Sequence, residues 1–234
     1  MSQVPTVLVP GMLCSPRLFA EQLPALWRSG PVTVASHHHD DSLAAIADRI
    51  LVSAPARFRL VGLSMGGYLA FEIMRRAGDR VTGLALLNTT ARADTPEQAQ
   101  RRHEQITLTR EGRFTKVVDA LTRRWIPAAR CGDPALRAVI RQMADETGPQ
   151  AFIRQQTAIA SRPDSQASLG VIACPVLVIA GADDQATTPD HAAEIADRIP
   201  RAWLTVIPEC GHLSTLEQPA AVTQALTHWL NAVP

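Results

Sequence analysis

The 234-residue sequence predicts an α/β fold: a mostly parallel sheet flanked by helices, interrupted by an all-helical insertion. Three observations carry that expectation. Six short, continuous apolar runs recur along the chain, and most are separated by stretches of helical periodicity. Between Asn88 and Cys174 the strand rhythm stops, and the chain turns Arg- and Gln-rich with three or four helical stretches. Strands that are apolar on both faces belong in a parallel sheet covered by helices on each side.

The runs are Val7–Val9, Val32–Ala35, Phe58–Val61, Leu84–Leu87, Val176–Ala180 and Trp203–Ile207. Among the helices, Asp41-Ser42 opens the segment that ends near Ala54-Pro55, and Pro24 to Arg28 stops at Ser29-Gly30. Asp or Ser satisfies the free amides at a helix start, and Gly fits the left-handed position just past its end. In the insertion, Thr95-Pro96-Glu97-Gln98 reads as an N-cap, a proline at the first helical position and a capping box. Asp133-Pro134 starts a second helix that Gly148-Pro149 ends, and Phe152 to Ala160 forms a third. The expected division is a core of residues 1–90 and 172–234 with a helical cap at 91–171. The plainer alternative is that the insertion only adds helices to one edge of the sheet.

Lys+Arg and Asp+Glu number 23 and 22, so the formal net charge of +1 leaves no large electrostatic footprint for nucleic acid or an anionic membrane. Hydrophobic residues make up 46%, too many for a disordered chain, yet no run approaches the length of about 20 residues that spans a bilayer. Cys14, Cys131, Cys174 and Cys210 lack metal-ligand spacing, and the first residues lack the pattern of a signal peptide. Free thiols in a cytoplasmic protein are expected. Nothing implies a metal or organic cofactor, and His37-His38-His39 sit on an extended loop where adjacent side chains diverge.

Gly62-Leu63-Ser64-Met65-Gly66 spells G-x-S-x-G, a weak signal alone. Its context is stronger: an apolar strand precedes it, and a helical pattern from Tyr68 to Arg76 follows. Strand, sharp turn and helix lift a serine hydroxyl above a sheet and aim a helix N-terminus at the site. A serine needs a base within reach and a third group to fix that base's tautomer. His212 follows the run Trp203–Ile207, and Asp183 and Asp184 follow Val176–Ala180, all just past strand ends. Asp184 is the favoured acid and Asp183 the alternative, giving the chain order Ser, Asp, His. Oxyanion donors are expected at the Met65 amide and, from the loop Pro10-Gly11-Met12-Leu13, at the Met12 amide, with Gly11 allowing a tight turn. Met12, Leu13 and Met65 hint at an acyl pocket for uncharged groups, with Leu13 in its wall. Arg101-Arg102 could meet a substrate carboxylate, although a solvated helix face is the simpler account. His103, His191 and His228 read as surface residues.

In these motifs the chain resembles the α/β-hydrolase superfamily along nearly its whole length, most of all small bacterial esterases and enol-lactonases. The carrying stretches are VLVPGM, LVGLSMGGYLAFEI, VLVIAGADDQATTP and IPECGHLSTLEQP. The family's G-x-x-D spacing falls on Asp184, and its oxyanion residue on Met12, with Pro10 where the family has a histidine. The two antiparallel strands that usually open the fold are missing, so about six strands are expected. The resemblance implies a carboxylic-ester hydrolase acting on a small molecule, or a lactonase, thioesterase, perhydrolase or C–C bond hydrolase on the same residues. A serine elbow disfavours a dehalogenase. A non-catalytic receptor that keeps the fold is the reading from a different class.

Overall fold

The six apolar runs form one six-stranded, all-parallel sheet in a computed structural model that describes residues 4–233. The strands are β1 (Thr6–Val9), β2 (Val32–Val34), β3 (Phe58–Leu63), β4 (Val81–Leu87), β5 (Val176–Gly181) and β6 (Ala202–Ile207), in the order β2-β1-β3-β4-β5-β6. Every residue of β3, β4 and β5 is buried, which is why these segments are apolar at successive positions. The edge strands β2 and β6 are half-exposed and carry Thr33 and Thr205. Full burial of a Val, Leu, Ile or Phe side chain is worth roughly 1.5–3 kcal/mol, so these three central strands anchor the core.

After β1 the chain lays β2 on one side and β3 to β6 on the other, which opens a crevice at the carboxyl ends of the strands. Helices cover the sheet: α1 (Leu23–Trp27), α2 (Leu43–Ser53) and α3 (Met65–Ala77), followed by three helices between β4 and β5. Those three are α4 (Pro96–Arg110), α5 (Phe114–Trp125) and α6 (Pro134–Ala160); the chain closes with α7 (Pro189–Arg198), α8 (Ser214–Glu217) and α9 (Pro219–Ala232). Ser42 caps α2 by accepting from the Ala45 amide at 3.2 Å. The expected capping box opens α4: Gln98 N–H donates to Thr95 Oγ1 at 3.3 Å and Thr95 N–H to Gln98 Oε1 at 2.9 Å.

The expected break at Gly148-Pro149 is present: the backbone leaves the helical region at Gly148 (φ 76°, ψ 164°), and a second helix starts on Pro149, so α6 is two helices meeting at a kink. Glycine tolerates that dihedral, and proline fits the first turn of the resumed helix, where its missing N–H is not needed. No helix among the described residues is long and apolar enough to cross a membrane.

Candidate active site

Ser64 joins β3 to α3 with φ 56° and ψ −112°, a backbone conformation that costs a non-glycine residue energy and is held by its surroundings. Ser64 N–H donates to Leu87 O at 2.9 Å, and Thr89 Oγ1 donates to Ser64 O at 2.9 Å. The flanking glycines permit close approach. A Cβ on Gly62 would lie 2.3 Å from Gly66 O, and one on Gly66 would lie 2.0 Å from Val9 O. Both distances are far inside contact, so any side chain at either place displaces the elbow.

His212 follows β6, and its Nε2 lies 2.8 Å from Ser64 Oγ. Its loop is pinned at several points. His212 N–H donates to Trp125 O at 2.7 Å, and the Trp125 ring stacks on the imidazole with centroids 6.4 Å apart. The buried Glu217 carboxylate accepts from the Gly211 and Leu213 amides, both at 2.8 Å. Gly211 O accepts from Asn88 Nδ2 at 3.0 Å.

The two aspartates separate clearly. Asp184 is buried, and its Oδ2 lies 2.8 Å from His212 Nδ1; Asn88 Nδ2 (3.0 Å) and Thr187 Oγ1 (2.9 Å) donate to the same oxygen. Oδ1 accepts from the Ala186 and Thr187 amides. Burial would raise the Asp184 pKa, but the facing His212 and these hydrogen bonds outweigh it and hold the pKa at about 2. Asp183 is exposed, and its amide donates to Cys210 O. Because Asp184 Oδ2 can only accept, His212 Nδ1 carries a proton, and Nε2 is left to accept from the Ser64 hydroxyl.

The loop after β1 lies against this group: a Cβ on Gly11 would be 3.4 Å from Ser64 Cβ. The Met12 and Met65 amides make no hydrogen bond among the described residues. The turn falls two places from where Gly11 led us to expect it, since the left-handed residue is Leu13 (φ 60°). Leu13 must also be corrected as a pocket residue. Its side chain is buried in the core and does not line the cavity, because the left-handed turn carries it inward and its amide is tied to Gln155 Oε1 at 3.1 Å. Met65 is likewise buried away from the cavity, and Met12 lines it.

The cavity over Ser64 and His212 has a volume of about 280 Å³ and lies under α4, α5 and α6. Met12, Leu121, Trp125 and Ile159 give it an apolar wall, and five arginines line it as well. His191, set aside from the sequence as a surface residue, also lines it, with its ring beside Thr188 Oγ1 at 3.1 Å. Sequence reasoning missed Asn88, Thr187, Trp125 and Glu217, which hold the aspartate and the histidine in place. The position of Asn88 just beyond β4, in a sheet whose other strands end on site residues, is the one signal that could have flagged it.

An apolar six-stranded parallel sheet, a strained serine between strand and helix, and an aspartate and a histidine past the ends of β5 and β6 define the class of α/β hydrolases. The chain belongs to the alpha/beta hydrolase family, whose model matches residues 6–225. The chain is 29% identical to a thermophilic esterase from Thermogutta terrifontis, solved with malate bound, covering 99% of this chain and 90% of that one at a TM-score of 0.90. It is similar also to the enol-lactonase from Burkholderia xenovorans LB400, at 26% identity and a TM-score of 0.86 over 99% of this chain and 92% of that one. A pimeloyl-[acyl-carrier protein] methyl ester esterase of Chromobacterium violaceum is 27% identical over 194 residues, 80% of this chain and 75% of the relative.

Proposed function

We propose that this protein is a serine hydrolase that cleaves carboxylic esters of small molecules through an acyl-enzyme on Ser64. The observation that carries the reading is the unbroken relay of two 2.8 Å contacts, Ser64 Oγ to His212 Nε2 and His212 Nδ1 to Asp184 Oδ2. In this reading His212 Nε2 takes the hydroxyl proton as Ser64 Oγ attacks the ester carbonyl carbon. The oxyanion that forms is held by two unclaimed amides, that of Met12 in the loop after β1 and that of Met65 at the N-terminus of α3. Collapse of the tetrahedral intermediate breaks the bond to the alcohol oxygen, which leaves with the proton from His212. Water then repeats the sequence: His212 removes its proton, the hydroxide adds to the acyl carbon, and Ser64 Oγ departs protonated. Asp184 stays ionised and fixes the tautomer of His212 throughout.

Residues 91–171 act as a cap in this proposal, since α4, α5 and α6 contribute Arg101, Leu121 and Ile159 to the cavity over Ser64. Similarity to an enol-lactonase favours lactone opening as the second reading, with the same acyl-enzyme and an alcohol that stays attached to the acyl group.

A fluorophosphonate probe together with a short-chain p-nitrophenyl ester tests the proposal, with Ser64→Ala and His212→Ala alongside. A mass adduct on Ser64 and loss of turnover in both folded variants are expected. Turnover by Ser64→Ala within tenfold of the unaltered protein would sink it.

A further inference from the structure

The cavity over Ser64 gathers far more positive charge than a chain of net charge +1 would place there by composition. Arg92, Arg101, Arg102, Arg124 and Arg162 line it, against a single lining carboxylate among the described residues, Asp94. The Asp94 side chain is only 2% exposed and is shared by two guanidiniums, Arg102 at 2.5 Å and Arg162 at 2.7 Å. Arg162 is further tied to Arg92 O and lies over the Tyr68 ring, with its guanidinium carbon 4.3 Å from the centroid. Arg92 pairs with Glu194 at 2.8 Å. Arg101 and Arg124 have no such claim on them: neither makes a salt bridge or a side-chain hydrogen bond among the described residues.

One buried carboxylate between two guanidiniums leaves a positive excess inside the wall, and the two uncommitted arginines present N–H donors into the same space. A guanidinium fork matches a carboxylate in geometry and charge, and the match strengthens where water is partly excluded. The apolar wall of Met12, Leu121, Trp125 and Ile159 accounts for an acyl chain but leaves these cations without a partner. A cavity of about 280 Å³ sits at the small end of ligand sites, which suits a short acid and not a bulky nucleotide-linked anion.

Resting on the serine-hydrolase reading, we infer that the substrate bears a free carboxylate remote from the bond that is cut, a half-ester or carboxylate-bearing lactone, and that Arg101 and Arg124 receive that carboxylate. The bland account of Arg101-Arg102 as a solvated helix face does not hold for Arg102, which is half-buried on Asp94 and also donates to Gln156 Oε1 at 2.8 Å.

The test compares monomethyl adipate with methyl hexanoate, which differ mainly in a terminal carboxylate against a methyl group. The protein is expected to favour the anionic ester in kcat/KM by about tenfold or more, the range of a charge-assisted hydrogen bond at a partly exposed site. That preference should shrink with added salt and approach one in the Arg101→Gln/Arg124→Gln double variant, through a fall in kcat/KM for the anionic ester. Equal use of both esters, or a preference that survives in the double variant, would overturn the inference while leaving Ser64 labelling intact. Calorimetric binding of adipate to Ser64→Ala reads the arginines without catalysis. Binding lost on adding the double substitution supports the inference even if neither ester is cleaved, whereas no binding, or binding that the arginines do not affect, refutes it. If Ser64 takes no fluorophosphonate label, the serine-hydrolase reading fails separately.

Discussion

His37 Nδ1 accepts a hydrogen bond of 3.1 Å from Gln155 Nε2, and this contact ties the loop after β2 to the part of α6 that follows the break at Gly148. Its other ring nitrogen, Nε2, lies 3.1 Å from both Pro10 O and Gly11 O, so it is the protonated one, donating to two carbonyls. Gln155 Oε1 meanwhile accepts from Leu13 N–H. The two side chains thus clamp Pro10 to Leu13, the segment that carries the Met12 amide. Gln155→Ala is expected to lower kcat for an aryl ester by about tenfold, less than outright loss of an oxyanion donor, with KM nearly unchanged. A fall in KM-governed binding alone, with kcat intact, would detach the clamp from the oxyanion loop.

The same histidine makes stability depend on pH. Burial lowers the His37 pKa from 6.5 to about 4, aided by the charge of His38 and opposed by the carbonyls of Gly11 and Pro10. Between those values the unfolded chain binds a proton that the native protein refuses, so native stability falls as the pH drops through that window. At 1.36 kcal/mol per pKa unit, the loss between pH 7 and pH 5 is about 2 kcal/mol from this group. Urea unfolding at the two pH values should show it, and His37→Asn should flatten the slope even though it starts from a less stable protein.

Glu217 is the counterpart on the histidine side. Its carboxylate is buried and takes two amides that bracket His212, so its removal orphans both. Glu217→Ala is expected to cost about 2–4 kcal/mol, summing two unsatisfied buried donors, and to depress kcat with it. Glu217→Gln keeps an acceptor oxygen and should recover part of each. Melting temperature and kcat measured on the same samples check the pair; an alanine variant as stable as the starting protein would show the His212 loop to be held by Trp125 and Asn88 without Glu217.

The difference between what was legible and what was not follows from range. β3, β4 and β5 could be read because both faces of each are covered, so periodicity within a few residues reports burial. Ser64 and Asp184 could be placed because each lies just past such a run, and His212 because its loop follows the apolar run of the edge strand β6. Gln155 lies in a helix whose pattern gives no sign of its partner His37, 118 residues away, and Glu217 takes the amides of Gly211 and Leu213, local contacts that helical periodicity does not report. Arg102 reads as one of a pair of solvated arginines until Asp94 and Gln156 are folded against it. Leu13 looked like a pocket wall because neighbours of an oxyanion residue are near the site; its left-handed dihedral, invisible in composition, points it into the core.

The pair Asp183 and Asp184 offers the sharpest comparison, because adjacent residues of one type lie in opposite environments. Asp184 makes five hydrogen-bonded contacts, to His212, Asn88, the Thr187 hydroxyl and the Ala186 and Thr187 amides, and stays ionised down to a pH of about 2. Asn in its place can present N–H to His212 Nδ1 and so favour the tautomer with the proton on Nε2, which faces Ser64 and then has no lone pair for its hydroxyl proton. Asp184→Asn is therefore expected to lower kcat by about 10³–10⁴ with little change in fold. Asp183 is exposed and its carboxylate holds none of these groups, so Asp183→Asn should stay within roughly twofold, as surface substitutions do. Steady-state kinetics on both variants, with circular dichroism to confirm folding, decide between them. The reverse ranking would make Asp183 the orienting acid, and would require the loop after β5 to rearrange by one residue during turnover.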